Sequence, residues 1–265
     1  MKIQILSDLH NEFLRNAKVN PTHQWWGTIP ETDADIIILA GDIDTGTNGV
    51  EWAIQESERL GKTILYVLGN HEFYGHEYWS VKEKVLNLCE GTRVFCLDSD
   101  VFIMDDVRFF GTTLWTDYKA DVSVPQDLAM LYVDKLLVDH RRIKYKSGDC
   151  YGRFKPEHAL AIHLTELRWL ETQLQQSTDY KTVVITHHGP HAICQHPAFP
   201  LNEMSSAFHS DLGGLIETSD IDSWVFGHTH ANVDEVVFDT RIVSNQAGYP
   251  GENVRAFDAC FTIEV

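Results

Sequence analysis

The chain has 265 residues, 43% hydrophobic and 23% charged, close to globular averages, which excludes a disordered, collagen-like or coiled-coil protein. Its 39 acidic and 21 basic residues give a formal net charge of −18 at pH 7. That balance argues against a broad surface that attracts nucleic acid or anionic membrane.

The first half of the chain alternates β-rich runs with amphipathic stretches, a pattern typical of α/β proteins. The predicted strands are residues 3–6, 35–40, 63–68 and two or three short runs within 94–110. The predicted helices are residues 50–60 and 76–88.

The second half begins with a helical region. Residues 124–142 and 156–176 are predicted helices, and the polar segment 146–152 is a predicted loop. The predicted strands that follow are residues 182–186, 223–226, 234–238, 241–244 and 257–265. Because there is no repeat or long linker, we expect a single domain over residues 1–265 with a helical insertion at about 112–178.

Side chains that can bind metal ions follow five of the predicted buried strands. In chain order they are Asp8 and His10, Asp42, Asn70 and His71, His187 and His188, and His228 and His230. In open α/β sheets the ligand site lies beyond the carboxyl ends of the strands, so these groups are expected to converge on one place.

Each group has a structural alternative when it is considered alone. Asp8 could cap a turn, and Asn70 could occupy a left-handed turn position. His228 and His230 are two residues apart, so they would face opposite ways in an extended chain unless a turn intervenes. Turn chemistry does not explain all five groups together, so the sequence favours a metal site.

The donor types narrow the choice of metal. Carboxylate, amide and imidazole donors without thiolate suit manganese, iron or zinc in an open site. A set of seven such donors is too large for one tetrahedral ion and suits two ions with water. Asp42 is the natural bridge between the two ions.

The order DxH, GD, GNHE, H and GHxH resembles the calcineurin-like metallophosphoesterases over about residues 1–245. The resemblance implies a four-layer α/β/β/α sandwich with a dinuclear centre at the carboxyl ends of the strands. It implies that the first metal is held by Asp8, His10, Asp42 and His230. It implies that the second metal, which shares Asp42, is held by Asn70, His187 and His228.

The same resemblance assigns His71 to contact with the phosphate and assistance to the leaving group. His187 is chosen over His188 because it comes first after the strand and matches the family's position, with His188 expected behind it. In the protein-phosphatase branch an aspartate three residues after the bridging one orients the catalytic histidine. Here that position is Thr45, and Asp44 lies one residue earlier, so no carboxylate is assigned to His71.

The predicted activity is hydrolysis of a phosphomonoester or phosphodiester by a hydroxide that bridges two divalent or trivalent ions of manganese, iron or zinc. The expected partner is a small phosphoester, because tracking extended nucleic acid needs several Lys or Arg contacts. A DNA or RNA nuclease stays open, as does a non-catalytic protein-interaction module on the same fold.

Location and specificity are less constrained by the sequence. Five scattered cysteines without a CxxC pair, no apolar run of about 18–20 residues and no signal peptide predict a cytoplasmic protein without membrane contact. In the insertion, Arg141 and Arg142 could bind a phosphate, and the aromatic run 114–118 could stack on a base. The alternatives are that the two arginines lie at a solvated helix end and that the aromatic residues pack in the core. His191 and His196 are expected at the surface.

Overall fold

The computed structural model describes residues 1–15 and 24–265, with seven α-helices and thirteen strands in that part of the chain. The elements of the first half are β1 (Lys2–Leu6), α1 (Asn11–Arg15), β2 (Ile36–Leu39), α2 (Asn48–Leu60), β3 (Thr63–Tyr66), α3 (Tyr78–Cys89), β4 (Val94–Cys96), β5 (Asp100–Met104) and β6 (Val107–Thr112). Those of the second half are α4 (Gln126–Leu136), α5 (Asp139–Arg142), β7 (Lys144–Ser147), β8 (Cys150–Arg153), α6 (Pro156–Leu174), β9 (Lys181–Thr186), α7 (Gly213–Thr218), β10 (Ser223–Val225), β11 (Asp234–Val237), β12 (Thr240–Val243) and β13 (Thr262–Glu264).

Two sheets organise the molecule. The first has the order β13-β1-β2-β3-β4, in which β1 to β4 are parallel and β13 is antiparallel to β1. The second has the order β11-β12-β10-β9-β6-β5, with antiparallel pairs at its two edges and parallel strands between them. In each sheet, therefore, the central strands end along the same edge.

The alternation of side chains along each strand creates three apolar layers. In β2, Ile36 and Ile38 belong to a core that also contains Val183 and Ile185 of β9, so this core joins the two sheets. Ile37 and Leu39 belong to a second core that contains residues of α2 and α3. A third core joins the outer face of the second sheet to α6 and α7. The result is the four-layer α/β/β/α sandwich that the resemblance implied.

The predicted elements are found with shifts of a few residues at their ends, except in the insertion. Residues 146–152 were expected to form a loop, but β7 and β8 pair there as an antiparallel hairpin with Ser147 opposite Cys150. The connecting pair is Gly148 and Asp149, and Gly148 has a φ of +58°, which suits a two-residue hairpin turn. The polar composition of an exposed hairpin led to the wrong prediction.

The remaining differences are small. Residues 124–142 form two helices, because Leu137 takes an extended conformation after α4. The division into one domain with an insertion stays a prediction. Within residues 1–15 and 24–265, no helix is long and apolar enough to cross a bilayer.

Candidate metal centre

The side chains predicted from the five strand ends lie together at the edge where β1, β2, β3, β9 and β10 end. Three overlapping sets have ligand atoms within 4.8 Å of one another: Asp8 with His10 and His230, His10 with Asp42 and His71, and Asp42 with His187 and His228. All of these residues except His230 are buried.

Backbone conformation brings alternate residues to the same point. Positive φ angles occur at Asp8 (53°), His10 (48°), Asp42 (56°), His228 (73°) and His230 (50°). An L-residue rarely adopts this region, and such conformations cluster at functional sites where the surroundings hold them. They are the turns that allow both members of the DxH pair, and both members of the HxH pair, to face one centre.

The glycines of the motifs let the loops approach closely. A Cβ atom on Gly69 would lie 2.2 Å from Asp42 Oδ1 and 2.8 Å from His187 Cε1. A Cβ atom on Gly227 would lie 2.7 Å from Asp8 Oδ2. Neither glycine has a positive φ, so the absent side chain is needed for space and not for backbone freedom.

The first set of ligands is supported by two glutamates. His230 Nε2 lies 3.4 Å from Asp8 Oδ1 and 3.1 Å from His10 Nε2. Glu12 Oε1 accepts from His10 Nδ1 at 3.2 Å, and Glu252 Oε2 accepts from His230 Nδ1 at 2.5 Å. Burial lowers the pKa of His230, but hydrogen bonds to Asp8 and Glu252 outweigh burial and raise it to about 9. The carboxylates thus favour a positive charge at this position.

In the second set, atoms that only accept hydrogen bonds face one another. His187 Nδ1 lies 2.9 Å from the carbonyl oxygen of Ala40 and must donate to it, so His187 Nε2 presents a lone pair. That nitrogen lies 2.9 Å from Asn70 Oδ1 and 3.3 Å from Asp42 Oδ1. The amide orientation of Asn70 follows from its Nδ2, which donates to Asp139 Oδ1 at 2.9 Å.

The nearby His228 adds a further acceptor. Its Nε2 is buried and has no hydrogen-bond partner among residues 1–15 and 24–265, while its backbone N–H donates to Asp8 Oδ1 at 3.0 Å. Unpaired buried acceptors that point at one another are unfavourable without a cation between them. The donor set of imidazole, carboxylate and amide oxygen therefore fits a metal ion, and His187, Asp42 and Asn70 are each held by a further hydrogen bond.

The pKa shifts of three histidines and of Asp42 agree with metal binding at this centre. Burial lowers the pKa of His10 to about 4 and also lowers the pKa of His187 and His228, so these imidazoles are neutral and can ligate. Burial also raises the pKa of Asp42, and the nearby carboxylate of Glu72 adds to the effect. A bound cation would offset this penalty and keep Asp42 ionised.

His71 has a carboxylate partner that its motif did not reveal. Glu12 Oε1 accepts from His71 Nδ1 at 2.8 Å, so α1 supplies the group that orients this ring. Asp44 instead forms an ion pair with Arg15. The sequence left the carboxylate partner of His71 open; it is Glu12 of α1 and not a residue of the segment after Asp42.

Glu72, the last residue of the GNHE motif, organises two of the loops. Its Oε2 accepts from the backbone N–H of Gly69 at 2.8 Å and of Asp42 at 3.1 Å. Its Oε1 accepts from the backbone N–H of Ile43 at 2.8 Å and from the Tyr66 hydroxyl at 2.7 Å. This carboxylate ties the loop after β2 to the loop after β3, and so fixes Asp42 relative to Asn70 and His71.

Several polar residues at the centre were not predicted. Glu12, Asp139, Tyr249 and Glu252 contact the predicted side chains through the hydrogen bonds that involve His10, His71, Asn70 and His230. Glu12 had a usable signal, since it lies two residues after His10. The others come from distant segments, and an acidic residue alone is no signal in a chain with 39 of them.

His188 lies behind the centre, as expected. Its ring packs against His228 with centroids 4.3 Å apart, and its Nδ1 lies 3.3 Å from the carbonyl oxygen of Thr113. His191 and His196 are both half-buried, and His196 lines the cavity described next.

A cavity of about 840 Å³ opens from the centre. Its apolar lining includes Leu137, Val138, Phe199, Phe208 and Val254. Among its lining residues in the described part of the chain, Arg255 is the single arginine or lysine. The cavity is within the size range of small-molecule sites and much larger than a phosphate group requires.

The sequence left open the roles of two features of the insertion, the aromatic run 114–118 and the pair of arginines at 141 and 142. Trp115 and Tyr118 are buried in the apolar core, so the aromatic residues pack in the core as the alternative had it. Arg142 is exposed, and its guanidinium carbon lies 4.7 Å from the centre of the Tyr74 ring. Base stacking on the buried pair is thereby excluded.

A family model of calcineurin-like phosphoesterases matches residues 1–232. The chain belongs to this family. It is therefore a metal-dependent phosphoester hydrolase, and its His/Asp clusters can bind metal. The resemblance drawn from the five motifs is confirmed.

Individual relatives are distant. The uncharacterized protein L509 of Acanthamoeba polyphaga mimivirus is 24% identical over 94% of this chain and 92% of its own length. The phosphopantetheinyl hydrolase of Mycobacterium tuberculosis superposes with a TM-score of 0.74 at 18% identity, over 100% of this chain and 95% of that one. A candidate 5′-nucleotidase from Staphylococcus aureus gives a TM-score of 0.52 at 15% identity, over 93% of this chain and 49% of that one. At these identities the structures share the fold.

Proposed function

We propose that this enzyme hydrolyses small phosphoesters with two metal ions held at the described centre. The observation that carries the proposal is the set of opposed acceptors, in which His187 Nε2 faces Asn70 Oδ1 at 2.9 Å and Asp42 Oδ1 at 3.3 Å. When bound, two cations supply Lewis acidity that activates water and polarises the phosphoryl oxygens.

The position of Asp42 supports a shared ligand. Its Oδ1 lies 3.3 Å from His187 Nε2, and its Oδ2 lies 4.0 Å from His10 Nε2. One carboxylate oxygen thus faces each set. We assign Asp8, His10, Asp42 and His230 to one ion and Asp42, Asn70, His187 and His228 to the other. Nitrogen and oxygen donors without thiolate suit manganese, iron or zinc.

We assign to His71 the contact with the phosphoryl group. Glu12 fixes its Nδ1 at 2.8 Å, and its Nε2 lies 3.9 Å from Asp42 Oδ2 and 2.9 Å from the hydroxyl of Tyr249, a residue that lines the cavity. In this position a protonated His71 stabilises charge on a phosphoryl oxygen or donates to the leaving oxygen.

The cavity supports a small substrate with an uncharged organic group. Its apolar wall includes Val138, Phe199 and Phe208, and Arg255 is the single arginine that lines it in the described residues. Extended nucleic acid would require several cationic contacts, whereas the chain carries a net charge of −18. We also place the enzyme in the cytoplasm, because its five cysteines are unpaired.

The first test is metal analysis of the purified protein, combined with hydrolysis of p-nitrophenyl phosphate and bis-p-nitrophenyl phosphate. We expect about two metal equivalents and turnover, and the preferred reagent identifies a monoesterase or a diesterase. A protein that takes up no metal and hydrolyses neither reagent contradicts the proposal and favours a non-catalytic interaction module. Efficient cleavage of single-stranded DNA at moderate salt would favour a nuclease.

Two variants separate metal binding from chemistry. We expect Asp42→Ala to lose metal, and His71→Ala to keep it while turnover falls by about 100-fold or more. The control is His158→Ala, which removes a half-buried histidine that stacks on Tyr145 away from the centre. Full activity of metal-loaded His71→Ala would remove His71 from the chemistry.

A further inference from the structure

Tyr249 begins a tight turn whose geometry follows from its sequence. The segment is Tyr-Pro-Gly-Glu, in which Gly251 has a φ of +91° and the backbone N–H of Glu252 donates to the carbonyl oxygen of Tyr249 at 3.1 Å. Proline at the second position and glycine with positive φ at the third are the features of a type II turn. The backbone around Tyr249 is therefore preset.

This turn is attached to the metal-ligand loops at two points. The backbone N–H of Gly248 donates to the carbonyl oxygen of Asp8 at 3.0 Å. Glu252 Oε2 accepts from the backbone N–H of Tyr249 at 2.8 Å and from His230 Nδ1 at 2.5 Å. The carboxylate that supports His230 thus also holds Tyr249.

The side chain of Tyr249 is packed among the histidines of the centre. Its ring centroid lies 4.4 Å from that of His10 and 4.7 Å from that of His230. Its hydroxyl lies 2.9 Å from His71 Nε2, and the residue lines the cavity. The hydroxyl therefore lies beside the His71 nitrogen to which the proposed function assigns the phosphoryl contact.

We propose that Tyr249 is a second side chain that contacts the phosphoryl group, with its O–H donating a hydrogen bond to a phosphoryl oxygen. The phenol carries one proton, so the Tyr249 O–H donates either to His71 Nε2 or, when the phosphoryl group is bound, to a phosphoryl oxygen, which leaves Nε2 facing the phosphoryl group as well. No proton is transferred in this step. The inference rests on the proposed function, in that it places the phosphoryl group against His71.

The test compares wild type with Tyr249→Phe, which keeps the ring, and Tyr249→Leu, which also removes the ring packing. Tyr180→Phe is the control, because Tyr180 is exposed and precedes β9. Each protein is loaded with Mn²⁺, its metal content is measured, and orthophosphate binding is followed by calorimetry. The kcat and KM for the better p-nitrophenyl ester are measured in parallel.

For Tyr249→Phe we expect unchanged metal content, orthophosphate binding weaker by about tenfold, and kcat lower by about 10- to 100-fold. Values within about twofold of wild type would overturn the inference, and if only Tyr249→Leu is impaired the role of Tyr249 is ring packing alone. Orthophosphate binding tests the contact separately from catalysis. If the metal-loaded wild type hydrolyses no ester, the proposed function fails, while weaker orthophosphate binding by Tyr249→Phe still supports the contact.

Discussion

Gly69→Ala tests whether close packing of the loops defines the metal centre. The added Cβ would lie 2.2 Å from Asp42 Oδ1, 2.6 Å from Asp42 N and 2.8 Å from His187 Cε1. Non-bonded carbon contacts are normally about 3.5–4.0 Å, so these atoms must separate by roughly 1 Å. Asp42 Oδ1 also accepts from the backbone N–H of His71 at 2.8 Å, which resists that movement.

We expect Gly69→Ala to lower the free energy of unfolding of the metal-free protein by about 1–3 kcal/mol, the usual effect of overpacking. Because folded domains are stable by about 5–15 kcal/mol, the variant still folds. Its affinity for the metal that shares Asp42 and His187 should fall by at least about tenfold, since ligands must hold their geometry. Urea unfolding and metal titration measure the two effects.

Gly214→Ala in α7 is the matched control. Apart from its chain neighbours and its own helix backbone, no heavy atom of the described residues lies within 4 Å of a Cβ on Gly214, and its φ is not positive. Alanine in a helix is favoured over glycine by up to about 1 kcal/mol, so this variant should be as stable as wild type or slightly more stable. If Gly69→Ala matched this control in stability and metal affinity, the close-packing argument would be refuted.

Two further predictions concern carboxylates, that of the half-buried Glu12 and that of the buried Glu166. Glu12→Gln should reduce metal affinity or kcat by about 10- to 100-fold, because it weakens the hydrogen bonds that orient His10 and His71; unchanged values in metal titration and steady-state kinetics would contradict this. Burial raises the pKa of Glu166 to about 7, so its charge destabilises the fold as pH rises from about 4.5 to 7. In urea unfolding at several pH values, Glu166→Gln should be as stable as wild type below about pH 4.5 and more stable by up to about 3 kcal/mol above pH 7. A difference in stability that does not change with pH would exclude the effect.

The convergence of the predicted side chains on one centre could be predicted from the sequence for a physical reason. In parallel sheets the carboxyl ends of strands share an edge, so chemistry that follows several strands in the sequence is brought together in space. Asp8, Asp42 and His187 each follow a strongly apolar run, which makes the strand and its end recognisable. Predicting the hairpin at β7 and β8 failed because exposed strands lack that apolar signal.

By itself, the sequence determined the α/β architecture, the family and the residues that converge on the centre, because strand patterning and motif order are local properties. Only the tertiary structure decided which groups support them. Glu12 reaches His71 from α1 near the start of the chain, and Tyr249 and Glu252 reach His71 and His230 from a turn near its end. Their contacts depend on how two sheets pack face to face, and no local pattern encodes that distance.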